Sequence, residues 1–273
     1  NYAAVLARKN LAEVQRNMDT SVSRLSSGRR INTASDDAAG SAISGRMESQ
    51  IRGLTMSIRH AKDGQSLVGT AEGAMQEMNK ILQRMRELAV QSGSGVASSS
   101  DRDYLDLEMT QLFNEINSIS NNTKFNDIRL LTGGTFTFYT DVDVAGTAIT
   151  TTAASMSAQK LLVSVTSVDI SSTTSNTSTT GIAAAITQID TALATVDNRR
   201  AALGAVSNRF DHIIDNLQNV IMNTVSSQSR IVDADFSIET TELTRNTVLQ
   251  QAATAMLAQA NAQKNSILTL IQQ

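Results

Sequence analysis

Proline, cysteine and tryptophan are all absent from the 273 residues. Without proline, nothing locks φ or removes a backbone donor, so helices can run long. Without cysteine there is neither a disulfide nor a thiolate metal site, which suits a protein that passes through different redox compartments. Aromatic residues make up 3% of the chain, six Phe and three Tyr, although 41% of residues are hydrophobic. Aromatics fill thick cores and ligand pockets. Their scarcity beside abundant Ala, Leu, Ile and Met points to narrow helix–helix seams. Charge of one sign is also lacking: 23 basic and 26 acidic residues are intermixed, for a net charge of −3. No basic stripe argues for nucleic acid or anionic lipid. No apolar run approaches the roughly 18–20 residues of a membrane span, so membrane insertion is not expected. No basic-then-apolar leader opens the sequence. It begins at Asn1 rather than Met, so further N-terminal residues are expected to precede it.

What is present is periodicity. Ala4, Leu11, Met18, Val22 and Leu25 keep a three/four register, with polar Arg8 and Gln15 in two slots, until Gly28 stops it. Residues 29–40 have no apolar period and carry Asn32, Thr33, Ser35, Asp36 and Asp37, turn and cap residues of an ordered connector. A second seam runs Ile43, Met47, Ile51, Leu54, Ile58, Ala61, Gln65, Val68, Ala71, Met75, Met78, Leu82, Met85, Ala89, every step three or four residues and only Gln65 polar, over more than six heptads. Sustained heptads of this type predict a coiled coil. At about 1.5 Å per residue this helix would be roughly 70 Å long. Gly45, Gly53, Gly64, Gly69 and Gly73 weaken it by roughly 1 kcal/mol each against Ala, so it needs packing partners. After Ser92–Gly95 a third helix is expected from Ser100–Asp101, with Leu105, Met109, Leu112, Ile116 and Ile119 in register and Asn121–Asn122 at its end. The short connection predicts an antiparallel hairpin.

The middle changes period. Phe136, Phe138, Val142 and Val144 alternate with polar residues, as do Leu161, Val163 and Val165, and both stretches read as half-exposed strands. More than half of residues 147–180 are Ser or Thr, candidates for O-linked sugar, and residues 171–180, nearly pure Ser, Thr and Asn, read as an exposed loop. Helical register returns at Ile182, Ile186, Ile189, Leu193, Val196, Arg200 and Leu203, slips by one residue, and resumes at Val206, Phe210, Ile213, Leu217 and Val220. A polar break over 226–235 precedes a last helix with Leu249, Ala253, Met256, Ala260, Gln263, Ile267 and Leu270. The expected fold class is mainly α: long coiled-coil helices from both chain ends with a small β-rich outer region.

No convergent acid, base or nucleophile set stands out, so no catalytic, metal or cofactor site is expected. His60 and His212 lie on different helices among polar neighbours and read as surface or interface residues. Asp36–Asp37 would suit a cation, but the pair precedes a helix and reads as a cap.

The residues around the breaks carry a family likeness. Arg24-Leu25-Ser26-Ser27-Gly28-Arg29-Arg30-Ile31-Asn32, then Asp36-Asp37-Ala38-Ala39-Gly40 and Ala42-Ile43, resemble the N-terminal signature of bacterial flagellins. Gln50–Leu54, Asp63-Gly64, Thr70–Ala74, Gln83–Gln91 and Thr123–Asn126 continue the match. Leu203–Phe210, Ser229–Ile231, Asp233–Asp235 and Ala255–Asn261 resemble the family's C-terminal part. The likeness covers about 1–131 and 181–273 and leaves the middle unmatched.

The resemblance implies a division into 1–40 (inner helix and connector), 41–131 (N-terminal helical part of a rod), 132–180 (variable outer region), 181–225 (C-terminal helical part) and 226–273 (connector and inner helix). It implies a filament subunit, exported by the flagellar type III route and located outside the cell. Its partners would be other copies of itself, an export chaperone, the filament cap and the hook-junction proteins. Subunit packing is expected of Leu11, Met18, Leu25, Ile51, Leu54, Ile58, Leu82, Leu112, Ile116, Leu203, Phe210, Leu217, Leu249, Met256, Leu257 and Ile267. Gln83–Gln91 resembles the stretch of flagellins recognised by Toll-like receptor 5, with Arg84, Leu88 and Glu108 matching. Arg84 and Leu88, four apart, are expected to share a face. Two departures stand out. Flagellins commonly carry a proline after the Ala260-Asn261 equivalent. Residues 262–265 have none, so the last helix is expected to run unbroken to Ile271. The sequence also begins inside the family's first helix. Two alternatives are a hook–filament junction protein, in which a proline typically follows the Asp-Asp pair, and a non-polymerising coiled-coil signalling protein, which should lack a β-rich Ser/Thr insert.

Overall fold

The computed structural model describes residues 2–140, 148–153, 155–161, 170 and 179–271. The helices are α1 (Tyr2–Ser27), α2 (Ala38–Ser92), α3 (Ser99–Asn122), the short α4 (Ala158–Leu161), α5 (Thr179–Val232) and α6 (Phe236–Ile271). The strands are β1 (Lys124–Phe125), β2 (Ile128–Arg129), β3 (Gly134–Tyr139) and β4 (Ala148–Ala153), paired antiparallel as β1–β2 and β3–β4. The mainly helical class is as expected. The chain divides into two compact units, Asn1–Arg52 with Val220–Gln273, and Gly53–Asn219.

In the unit Gly53–Asn219 the α2 seam follows the expected register. Leu54, Ala61, Val68, Ala71, Met75, Met78, Leu82, Met85 and Ala89 are all buried. Ser57 and Gly64 take the inner slots expected for Ile58 and Gln65. Gln65, displaced to the edge, donates through Nε2 to Asp211 Oδ1 at 2.6 Å and so ties α2 to α5. The core is completed by Met109, Phe113 and Ile116 of α3 and by Ala185, Ile189, Ala192, Val196, Leu203, Phe210 and Ile214 of α5. α5 passes the expected slip near Leu203 without a break.

Gly64 has a specific packing role. A Cβ there would lie 2.6 Å from Phe210 Cζ, and the Phe210 ring meets Phe138 of β3 edge-on, 5.6 Å between centroids at 84°. Gly69 is the opposite case: a Cβ there would meet nothing within 4 Å. Gly69→Ala is therefore expected to stabilise the free subunit by about 1 kcal/mol through helix propensity alone, read as a raised denaturation midpoint.

α3 starts one residue before the expected Ser100. Its cap is Ser98, whose Oγ accepts from the Asp101 N–H at 3.2 Å, while Asp101 Oδ2 accepts from the Ser98 N–H at 2.9 Å. This reciprocal pair is a capping box. After α3, Asn126 and Asp127 both take positive φ (49° and 63°), the backbone a two-residue hairpin turn requires. They join β1 to β2 in a hairpin not among the sequence expectations. Leu130 and Leu131 then anchor the chain in the core. Ser120 Oγ donates to Leu131 O at 3.1 Å, and the Met156 N–H donates to the same carbonyl at 2.7 Å.

Two expectations for the middle need correction. Leu161 ends helix α4 rather than sitting in a strand, because the Ser157 carbonyl accepts from both Lys160 N–H and Leu161 N–H. Of the loop expected at 171–180, Thr179 and Thr180 open α5 and the rest lies outside the described residues, while β4 falls within the Ser/Thr-rich stretch upstream of it. Thr150–Thr152 pair across to Thr135–Thr137, and β-branched threonines suit a pleated edge. Val142, Val144, Val163 and Val165 lie outside the described residues.

In the unit Asn1–Arg52 with Val220–Gln273, Gly28 at φ 70° ends α1 as a left-handed cap. α5 runs on to Val232, so the break before α6 is only Asp233–Asp235, much shorter than the expected 226–235. The two connectors run side by side: Arg29 and Asp233 form an antiparallel bridge, Arg30 N–H donates to Val232 O at 2.6 Å, and Ala234 N–H donates to Gly28 O at 3.0 Å. Exposed and half-buried threonines recur along α6. Thr240, Thr241, Thr244 and Thr247 each donate Oγ1 to the carbonyl four residues back, as Thr187, Thr191 and Thr195 do on α5.

Asp36 and Asp37 divide the connector work. Asp37 caps α2: its Oδ1 accepts from Gly40 N–H at 2.9 Å and its carbonyl from Ser41 N–H at 3.0 Å. Asp36 Oδ2 gathers Thr33 N–H at 2.8 Å, Asn32 N–H at 3.1 Å and the Thr33 hydroxyl. The Thr33 N–H, then the Asn32 N–H, hold its carboxyl below the usual aspartate value. A depressed carboxylate contributes stability that is fully present above its unfolded value and is lost as pH falls through its folded value. Amide exchange at residues 32–36 is therefore expected to accelerate only below the ordinary aspartate range, and Asp36→Asn to remove that acid response.

Candidate assembly surfaces

α1 and α6 lie antiparallel, Arg24 opposite Glu239 and Gln15 opposite Gln250. The inner stripe of α1 is Ala4, Ala7, Leu11, Val14, Met18, Ser21 and Leu25. Leu11, Met18 and Leu25 are half-buried there, as expected. The intervening slots differ from expectation: Ala7, Val14 and Ser21 face inward, while Arg8 and Val22 are exposed. On α6 the inner stripe is Glu239, Leu243, Asn246, Gln250, Ala253, Leu257 and Ala260. Leu257 lies in it, but Leu249 and Met256 do not; they are exposed, Met256 at 66%. The Ile267 side chain lies outside those described, although its backbone continues α6 to Ile271 across the expected proline site.

Both helices therefore carry a second, uncovered apolar face. On α6 it holds Ile238, Leu249 and Met256, whose spacing puts them on one side of a helix, with Val248 beside them. On α1 it holds Tyr2, Val5 and Leu6 of the first turn; Val22 is also exposed but lies on the other side of the helix, at the edge of the inner stripe. A scattered exposed Leu means little, but apolar residues in register on a polar-rimmed helix mark an interaction face.

The other packing candidates lie within or beside the unit Gly53–Asn219. Leu54, Leu82, Ile116, Leu203, Phe210 and Leu217 are buried within the subunit, and Ile51, Ile58 and Leu112 are half-buried. Among the described residues the uncovered large apolar side chains of this unit are others: Met56, Val90, Val96, Tyr104, Leu107, Ile128 and Tyr139.

Arg84 and Leu88 do not share a face. Leu88 is fully buried in the core, whereas Arg84 and Glu108 keep 48% and 44% of their side-chain surface. Arg84 Nε donates to Glu108 Oε1 at 2.9 Å and Nη1 to Glu87 at 3.1 Å. Glu108 first, then Glu87, raise the guanidinium pKa above its usual value. A parallel pair, Arg86 Nε to Asp190 at 2.7 Å, links α2 to α5. Such exposed pairs contribute about 0–1 kcal/mol each and serve alignment more than stability.

Nothing among the described residues resembles a reaction centre. His60 and His212 are exposed. Among the described residues no group of three or more His, Cys, Asp or Glu is placed to hold a metal. A cavity of about 220 Å³ lies between Leu67, Met75, Leu130, Phe136, Leu203 and Val206, with Arg199 also on its lining. No helix among the described residues is long and apolar enough to cross a membrane.

Long helices with uncovered apolar stripes define a structural subunit that associates with others. Residues 1–135 match the bacterial flagellin N-terminal helical region and residues 186–271 the bacterial flagellin C-terminal helical region. The chain is 40% identical to a flagellin of Halalkalibacterium halodurans over 277 residues, covering 99% of this chain and 98% of that one. It is 38% identical to a flagellin of Bacillus subtilis, at the same coverages, and 35% identical to the flagellar filament 33 kDa core protein of Treponema phagedenis over 282 residues. A putative flagellar hook-associated protein from Vibrio parahaemolyticus has a similar fold, with TM-score 0.63 at 14% identity, covering 72% of this chain and 100% of that one. This chain belongs to the bacterial flagellin family. It is a structural subunit of the flagellar filament.

Proposed function

We propose that assembly proceeds by covering the outer faces of α1 and α6 with neighbouring subunits. The observation that carries this reading is the pair of uncovered apolar faces on helices already paired along their inner stripes. A helix with apolar residues on two sides cannot bury both against one partner. Heterologous contacts that do not close on themselves extend into a helical polymer. Residues 1–40 and 226–273 would form the inner layer, 41–131 and 181–225 the next, and 132–180 the outside. Before assembly the unpaired stripes leave α1 and α6 short of burial, which favours passage of an unfolded chain through a type III export channel and capture of α6 by a cytoplasmic chaperone. Addition beneath a filament cap, beyond the hook-junction proteins, places the polymer outside the cell. Incubating purified subunit with filament fragments tests the reading: long helical filaments are expected, and a stable dimer that never elongates would sink it.

Toll-like receptor 5 recognition, if carried by this stretch, would engage Arg84 and Glu108 directly. Leu88 would act from beneath by holding α2 against the core. Arg84→Ala is the discriminating variant in a receptor reporter assay, because its exposed position spares the fold.

A further inference from the structure

Apolar contacts alone do not fix the register of α1 against α6. One half of their seam pairs Ala4, Ala7 and Leu11 with Ala253, Leu257 and Ala260. A slide of one heptad would bring similar side chains together again. The other half mixes Val14, Met18, Leu25 and Leu243 with polar side chains whose partners are not interchangeable. Glu239 Oε1 lies 3.0 Å from Arg24 Nη1, and the two side chains keep only 10% and 30% of their surface. Gln250 Nε2 donates to Gln15 Oε1 at 2.7 Å. Ser21 and Asn246 are buried along the same stripe.

A slide of seven residues would carry Glu239 to the level of Met18 or beyond the end of α1. In the first case its carboxylate would be shielded beside Met18 without Arg24, the costly arrangement for a buried charge; in the second it would leave the seam and lose its partner. The pair also suits the helix ends it occupies. Arg24 is in the last turn of α1, where the macrodipole favours a cation, and Glu239 is in the first turn of α6, where it favours an anion.

We propose that Arg24 and Glu239 specify the register of α1–α6 pairing within each subunit, with Gln15 and Gln250 as the second fixed point. The proposal rests on the assembly reading above and adds which residues set its geometry. Reversing either charge alone, Arg24→Glu or Glu239→Arg, is expected to raise the critical concentration for seeded growth at least about tenfold, equivalent to about 1.4 kcal/mol. Reversing both in one chain is expected to recover part of that loss, because the swapped pair still attracts although both charges then oppose the helix dipoles. An equimolar mixture of the two single variants stays as poor as either alone, because each subunit still holds two like charges. Recovery in the mixture would place the pair between subunits and overturn the proposal. So would failure of the double reversal while amide exchange shows residues 53–219 protected as usual.

Arg24→Met with Glu239→Leu separates register from stability. It keeps the seam buried without the charges, and is expected to give filaments with broadened layer lines; layer lines as sharp as those of the unaltered filament would refute the specifying role. Unaltered subunit grown in parallel reports separately on assembly itself.

Discussion

Phe210→Ala is expected to destabilise the unit Gly53–Asn219 by about 3–5 kcal/mol, the usual loss for a fully buried Phe truncated in a packed core. Phe210 is completely shielded, stands edge-on to Phe138, and fills the space opposite Gly64. One substitution would thus empty the junction of α2, α5 and β3. Denaturant unfolding of the free subunit measures the loss; a change under about 1 kcal/mol would show that the ring is not a packing centre. The Gly64 contact sharpens the test. Gly64→Ala adds a methyl group 2.6 Å from the ring and should cost about 1–3 kcal/mol by overpacking, partly offset by the better helix propensity of Ala. In a Phe210→Leu background the same methyl has more room. The two changes should therefore be non-additive, the double variant more stable than the sum of the singles.

The second large effect concerns association. Leu249→Asp with Met256→Asp is expected to abolish filament growth at concentrations where the unaltered subunit elongates. Burying each apolar side chain contributes about 1.5–3 kcal/mol, and a carboxylate in its place adds a desolvation cost. The free subunit should melt as before, because both positions are exposed. Sedimentation and electron microscopy read the outcome: normal filaments from the double variant would show that this face of α6 is not covered.

The long seam of α2 is legible from Leu54 to Ala89 because its inner positions are mostly apolar, although the three/four rhythm favours Ile58 and Gln65 where the packed helix turns Ser57 and Gly64 inward. α1 and α6 are less legible for a physical reason. They carry apolar residues on two faces, and Ala4, Leu11, Met18 and Leu25 fit either Ala7/Val14/Ser21 or Arg8/Gln15/Val22 as intervening slots. Hydrophobicity favours Val22 over Ser21, yet the partner helix selects Ser21. On α6 the most hydrophobic register runs through Leu249 and Met256, and so traces the uncovered face instead of the inner one. The β1–β2 hairpin leaves a usable signal, Asn126-Asp127 between Phe125 and Ile128, residue types that tolerate positive φ. β4 leaves little, since threonine serves loop and strand alike. Leu88 departs from its expected face because a four-residue spacing sets two side chains about 40° apart, enough at the rim of a buried stripe to separate core from surface.

The threonines of α5 and α6 change how these surfaces should be weighed. Each of Thr187, Thr191, Thr195, Thr240, Thr241, Thr244 and Thr247 spends its only hydroxyl proton on the helix's own backbone. What remains to offer an outside group is largely a methyl. A composition count scores these columns as polar. A neighbour packing against them would meet a surface closer to that of valine, already satisfied and cheap to dehydrate.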